Sequence, residues 1–369
     1  MDKFNSDLLR NNGDKAFLRE LCPDIAEMLI WDELQTSFDK HETLAVRDKY
    51  LSAKYIAFGI RLIVVSLLMT LATATPYIRA HVAAAPELGR IMAAAALAVL
   101  VIGALLARGV VMGNSRDTWL RHRIVAERLR QLNFQVLAAN LHLVCDNSVR
   151  AQTQLEQNKK IALRDFEFSA EQGAYIQSII DDTSLDRAML VQLEFEKNVE
   201  IDHERWRQFK LYYEKLRLDW QEQYARSFFV QGGGFLKRSD TSSDKYFVLK
   251  RTELFATVGL FLFQILAVLL LFFAPNQPEV SQWFAIGASA STVVIFGVSA
   301  LRDTTALKGE LTRYRHYLSH IEKARRMFSS NDTPACSAGA MRAVREMEEA
   351  AYFEMREFLL LRKKVDLSF

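Results

Sequence analysis

The sequence predicts an all-α integral membrane protein: four transmembrane helices in two hairpins, with long cytosolic helices forming a bundle or stalk. Three observations carry that expectation. Half of the 369 residues are hydrophobic and a quarter are charged, and the two kinds are segregated into blocks. Four apolar blocks have the length of about 20 residues that a bilayer requires. No period-two strand pattern occurs, whereas apolar residues recur at three- and four-residue spacing in the polar blocks.

The first span covers about Ile56–Ile78 and contains one charge, Arg61; the second covers Ile91–Met112, with Arg108 near its end. The third, Leu254–Ala274, and the fourth, Trp283–Leu301, contain no charge. A soluble helix has no need to be apolar on every face. The connectors 79–90 and 275–282 are short and contain proline, so each pair of spans forms an antiparallel hairpin. The chain then divides into cytosolic N-terminal helices (1–54), a first hairpin (55–113), a cytosolic helical domain (114–250), a second hairpin (251–302) and C-terminal cytosolic helices (303–369).

Orientation follows from the basic residues beside the spans. Lys40, Arg47, Lys49 and Lys54 precede the first span, and Arg116, Arg121, Arg123, Arg128 and Arg130 follow the second. Lys237, Arg238, Lys245, Lys250 and Arg251 precede the third, and Arg302, Lys308, Arg313 and Arg315 follow the fourth. The connectors offer only Arg79 and Arg90. Both termini and all long polar segments are therefore expected in the cytosol, with the arginines after Met112 anchoring that end inside. The N-terminus has no apolar core and is not read as a secretory signal. Cys22, Cys145 and Cys336 are too scattered for a disulfide framework or a zinc knuckle. A net charge of +3 does not argue for nucleic acid as a partner.

Short repeats point to a tandem unit. "RDT" closes the second span at 116–118 and the fourth at 302–304; "DKY" precedes the first span at 48–50 and the third at 244–246. Ahead of the first span lie "WDELQTSF" (31–38) and "RDKYLSAKY" (47–55), with Trp31, Gln35, Tyr50 and Lys54. Ahead of the second hairpin, "YYEKLRLDWQEQYARSFF" (212–229) places Tyr213, Arg217, Gln221 and Tyr224 at helical spacing, separated from its span by "QGGGFLKRSDTSSD" (231–244). This layout resembles the SMODS- and SLOG-associating two-transmembrane effector (SLATT-like) family of bacterial conflict systems, over about half of the chain and as a tandem pair. The resemblance implies adjacent spans flanked by cytosolic helices, and a nucleotide second messenger made or sensed by a separately encoded synthase or sensor in an antiviral response.

Within the polar segments, the absence of Pro and Gly from Ser115 to about Leu143 predicts a helix continuous with the second span, with Val125, Leu129, Leu132 and Val136 as an amphipathic stripe. Two capping-box spacings, "SAEQ" (169–172) and "TSLD" (183–186), mark expected helix starts. A long helix is expected from Asp186 to about Phe229, carrying Met189, Leu193, Val199, Trp206, Tyr213, Leu216, Trp220 and Tyr224 mostly on one packing face. The "QGGG" turn ends it; a helix to about Phe328, the loop 329–337 and a last helix to about Lys364 complete the chain.

Catalytic patterns are few. "GGGFLK" (232–237) lacks the GxxxxGK[ST] spacing of a phosphate loop and reads as a linker. His316 and His320 stand one turn apart with no third ligand nearby, so no metal is assigned. Asp181 and Asp182 precede an expected helix start, where the helix dipole favours negative charge. No enzyme activity, cofactor or catalytic residue is assigned.

The spans themselves are more informative. Gly103, Gly109 and Gly113 in and just after the second, and Gly287, Ser289, Ser291, Thr292 and Gly297 in the fourth, give small-residue faces that let helix backbones approach closely in lipid. The bulkier first and third spans are expected to face lipid. Packing within one chain and assembly around a central pore both fit. Arg61, Arg108, Arg116 and Arg302 are membrane-interface cations, either snorkelling to headgroups or forming a ring at a pore mouth. The expected function is a multi-pass effector of the bacterial inner (plasma) membrane that homo-oligomerises among membrane lipids and depolarises the membrane on a cytosolic signal. The alternatives are a non-conducting membrane-anchored scaffold or sensor and, with near-chargeless spans, less favourably a transporter.

Overall fold

The computed structural model describes residues 6–73, 75, 86–107, 115–146, 148–171, 175–181, 185–193, 202–229, 242–273, 278–305, 307–329 and 337–367. Among them there is no strand. The helices are α1 (Asn12–Leu21), α2 (Ala26–Leu29), α3 (Asp32–Thr73), α4 (Pro86–Ala107), α5 (Ser115–Ala139), α6 (Leu141–Cys145) and α7 (Val149–Glu171). Then come α8 (Tyr175–Asp181), α9 (His203–Tyr212), a π-helical stretch (Tyr213–Asp219), α10 (Trp220–Ser227), α11 (Ser242–Phe273), α12 (Pro278–Thr305), α13 (Leu307–Ser329) and α14 (Ser337–Leu367). The chain divides into two compact units: a polar body (1–46, 119–230 and 309–369) and an apolar unit (47–118 and 231–308).

Helices long and apolar enough to cross a membrane lie at Asp32–Thr73, Ser243–Leu269 and Gln282–Arg302; Arg90–Leu106 is apolar but shorter among the described residues. α3 runs 42 residues from the polar N-terminal segment through the first apolar stretch. Continuity of the second apolar stretch with α5 falls on 108–114, outside the described residues, as do Val199, Cys336 and the "QGGG" turn.

In the polar body, α5 is the central helix. Every residue from 128 to 138 is buried, so the expected stripe is in fact burial on all sides. Its apolar residues Leu129, Leu132, Phe134, Val136 and Leu137 share one core with Trp31, Phe38, Trp206, Phe209, Tyr213 and Phe328. Burying such a side chain contributes roughly 1.5–3 kcal/mol, which is what holds a polar helix in the middle of the fold. The helix ends at Asn140, whose side chain donates to the carbonyl of Val136 at 2.8 Å, rather than continuing to 143.

Two further expectations are corrected, and a third falls partly outside the described residues. Ser169 lies inside α7, near its end, and starts no helix; the start of α7 is capped by Ser148 Oγ, which accepts from the Ala151 amide at 3.1 Å. Thr183 and Ser184 lie outside the described residues, and Leu185–Ala188 forms a single 3₁₀ turn. The expected helix from 186 to 229 is not continuous. Gln135 on α5 donates to the Ala188 carbonyl at 3.0 Å and accepts from the Leu190 amide at 2.6 Å, taking backbone groups that a helix would use itself. α9 starts only after Asp202, which accepts from the Glu204 and Arg205 amides.

Candidate functional site

The apolar unit is assembled through its small residues. α3 and α4 run antiparallel. Ser66 Oγ donates to the Ala96 carbonyl at 2.6 Å, and further along the pair a Cβ added at Gly103 would stand 2.9 Å from the Gly59 carbonyl oxygen and 3.0 Å from the Ile63 nitrogen. α11 and α12 also run antiparallel. A Cβ at Gly287 would meet the Phe263 ring at 3.0–3.1 Å, and one at Gly259 would lie 3.4 Å from Ser291 Oγ. At the other end of that pair Arg302 bonds Glu253, which also accepts from Ser299 Oγ at 3.4 Å. α3 meets α12 where a Cβ at Gly297 would come 2.5 Å from Val64 Cγ2.

The first apolar stretch therefore packs on two sides and, as well as the face expected toward lipid, has faces against α4 and α12. A close-packed face can be built from Gly59, Val64 and Ser66, which composition does not separate from a lipid-facing one. α4 is largely exposed through Ile91, Leu97, Val101 and Ile102, and α11 through Leu254, Phe255, Phe261 and Leu262. Ser289 and Thr292 are exposed on α12, their hydroxyls donating to their own helix at Ala285 (3.0 Å) and Ala288 (3.1 Å); Ser291 donates likewise to Gly287 at 3.0 Å. Gly109, Gly113 and Arg108 lie outside the described residues, as does the side chain of Arg116. Arg61 is exposed and makes no hydrogen bond or ion pair with the described residues.

The polar body contains a buried charge network that sequence reasoning missed. Arg217 pairs with Glu348, Nε to Oε1 at 2.8 Å and Nη2 to Oε2 at 2.9 Å, both residues essentially inaccessible. Arg130 lies 2.9 Å from Asp7 and 2.7 Å from Glu127, and Arg123 reaches Glu42 at 3.0 Å and also Glu127. Tyr213 donates to Glu348 at 3.2 Å, Tyr317 to Gln221 at 3.3 Å, and Arg313 lies 3.3 Å from Glu354. Burial alone would raise the Glu127 carboxyl, but Arg123 and Arg130 outweigh it and hold the group at about 2. Burial prevails at Asp7 and Glu354, whose carboxyls sit above the usual value despite Arg130 and Arg313. The network encloses a cavity of about 20 Å³ lined by Arg123, Glu127, Gln131, Arg217, Gln221 and Glu354, room for one water.

These contacts also correct the role given to the arginines after Met112. Arg123, Arg128 and Arg130 are not membrane anchors: Arg128 donates to the Arg187 carbonyl at 2.6 Å and to Gln131 at 2.6 Å, while the other two join the network. Arg313 is buried likewise. The available signal was Glu127 standing between Arg123 and Arg130 at helical pair spacing. Tyr213, Arg217 and Gln221 do come together, inside the network; Trp31 and Gln35 are buried in the body, and Tyr50 and Lys54 are in the apolar unit, 6.0 Å apart as a cation over a ring.

A second, open cavity of about 420 Å³ lies between α5, α7 and the Leu190–Val191 segment, with Leu132, Val136 and Phe166 as its apolar floor and Asn140, Asn158 and Asp165 at its rim. His320 pairs with Glu346 at 3.1 Å, and no group of three metal-ligating side chains occurs among the described residues. Compared with known proteins, the chain matches no family model, no curated protein and no solved structure.

Proposed function

We propose that the chain is a membrane effector of the bacterial inner membrane. Four apolar segments cross as two related hairpins with both termini cytosolic, and several copies assemble to permeabilise the membrane on a cytosolic signal. The resemblance to SMODS- and SLOG-associating two-transmembrane effectors suggests a nucleotide-derived signal, made or sensed by a separate protein in antiviral defence. The observation that carries this reading is the outward face of α12. Ala285, Ser289, Thr292 and Phe296 recur at three- and four-residue spacing and are all exposed, a stripe with two hydroxyls and one alanine ahead of a single large ring. At Gly103 α4 stands at near backbone contact with α3, and at Gly287 and Gly297 the Phe263 and Val64 side chains fill the space beside the glycine, which leaves no lumen at those contacts. A conducting path then needs outward faces from several chains.

Induced expression in bacterial cells with a potential-sensitive dye tests the reading. Depolarisation by the wild-type chain, lost in Ser289→Leu and Thr292→Leu at equal membrane abundance, is the expected result. Growth arrest at unchanged potential would favour the second reading, a non-conducting scaffold, for which the self-contained charge network of the body is the supporting observation.

A further inference from the structure

Arginines within apolar segments are ordinarily paired with protein groups. Arg302 follows that rule through Glu253. Arg61 does not: it is exposed on α3, and among the described residues no acid or carbonyl answers it. Its depth follows from the packing, on the two-hairpin reading above, in which the Lys54 end of α3 and the Arg302 end of α12 face the same side. Val64 abuts Gly297. Arg61 is three residues from Val64 and Arg302 is five from Gly297, so at 1.5 Å per residue the two arginine positions differ in depth by about 3 Å. Lys54 lies about 10 Å further out along α3 by the same rise.

The stripe that carries Arg61 is continuous. Lys54, Phe58, Arg61, Val65 and Leu68 follow one another at four- and three-residue spacing, and all are exposed. Its outer part has two cations flanking an aromatic ring; its inner part is aliphatic. That order of groups matches a phospholipid lying along the helix, phosphate outward and acyl chain inward. A protein surface would have to bury the guanidinium and supply an acid, whereas a lipid supplies the anion at the depth where the side chain ends.

We propose that the Lys54–Leu68 face of α3 is a binding site for an anionic glycerophospholipid, with Arg61 holding the phosphodiester and Val65 and Leu68 lying along an acyl chain. Lys54 adds attraction for a negatively charged headgroup and makes the site selective for phosphatidylglycerol over phosphatidylcholine.

The test is native mass spectrometry of the full chain in detergent, titrated with phosphatidylglycerol and, separately, with phosphatidylcholine. Wild-type protein is expected to retain phosphatidylglycerol preferentially, and Arg61→Gln to weaken that binding about fivefold. Arg61→Lys, which keeps the charge, should retain most of it and guards against a general folding defect. Equal retention by wild type and Arg61→Gln overturns the proposal. So does unchanged lipid selectivity with altered depolarisation in Arg61→Gln, which would place the residue at a pore mouth. A chain that is freely soluble without detergent would instead overturn the membrane reading on which the site rests, so the two failures are distinguishable.

Discussion

Arg217 and Glu348 meet as a two-pronged fork inside the polar body, both guanidinium-to-carboxylate bonds at 2.8–2.9 Å, with Tyr213 donating to the same carboxylate. The Arg217 guanidinium also lies 5.0 Å from the Phe134 ring centroid, so its flat face is covered as its edge is bonded. Removing one partner strands the other charge away from water. Glu348→Leu or Arg217→Met alone should each cost about 3–5 kcal/mol, read as a fall in the unfolding temperature of the detergent-solubilised protein. The double variant should recover much of the loss, because apolar groups can fill the site without an unpaired charge. Additive losses would show that the two residues do not act as a pair.

The glycine contacts differ in kind, and substitution should rank them. At Gly103 a methyl group would press on backbone atoms of α3, which cannot turn aside; Gly103→Ala should cost about 1–3 kcal/mol. At Gly259 the nearest atom is Ser291 Oγ at 3.4 Å, an ordinary contact, so Gly259→Ala should be neutral or gain up to about 1 kcal/mol from helix propensity. Comparison of the two melting curves in one detergent decides the ranking.

Acid should weaken the body through Glu127. Its folded value of about 2 lies below the usual 4.5, so its stabilising contribution is complete above 4.5 and is lost as the pH falls through about 2. Asp7 and Glu354 have the opposite sign, since raised carboxyls favour the folded state more as they protonate. The difference in unfolding temperature between wild type and Glu127→Gln should therefore shrink as the pH is lowered from neutral to about pH 3. A difference that stays constant would remove Glu127 as its source.

Cys22 and Cys145 are buried, and burial pushes both thiols up to about 12. Cys22 also donates to the Gln208 carbonyl at 3.2 Å. In a Cys336→Ser background, a maleimide should label the folded protein on the order of a hundredfold more slowly than the unfolded protein. Rapid labelling of the native state would contradict the packing around α9.

The apolar segments were legible because lipid selects for composition, whatever the tertiary arrangement. The arginines were not. A guanidinium following an apolar segment looks the same whether it anchors at headgroups or is buried by a carboxylate distant in the chain, and the partners of Arg123 and Arg217 lie 81 and 131 residues away. The break before α9 was hidden for a similar reason: the groups that draw the backbone out of a helical path come from another helix, Arg128 and Gln135 of α5 bonding the backbone of Arg187, Ala188 and Leu190. The packing side of α3 was illegible because apolar side chains suit lipid and protein equally.

The π-helical stretch carries Arg217, and its wide turns set the rotational phase of everything beyond it. Deleting one residue between Tyr213 and Asp219 would leave the composition almost untouched yet swing α10 by about 100°. Gln221 and Tyr224 would turn away from Asp7 and Tyr314, their present partners. Segment length here is therefore held more tightly than side-chain identity: a related chain that lost a residue from this stretch would have to restore the phase with an insertion nearby.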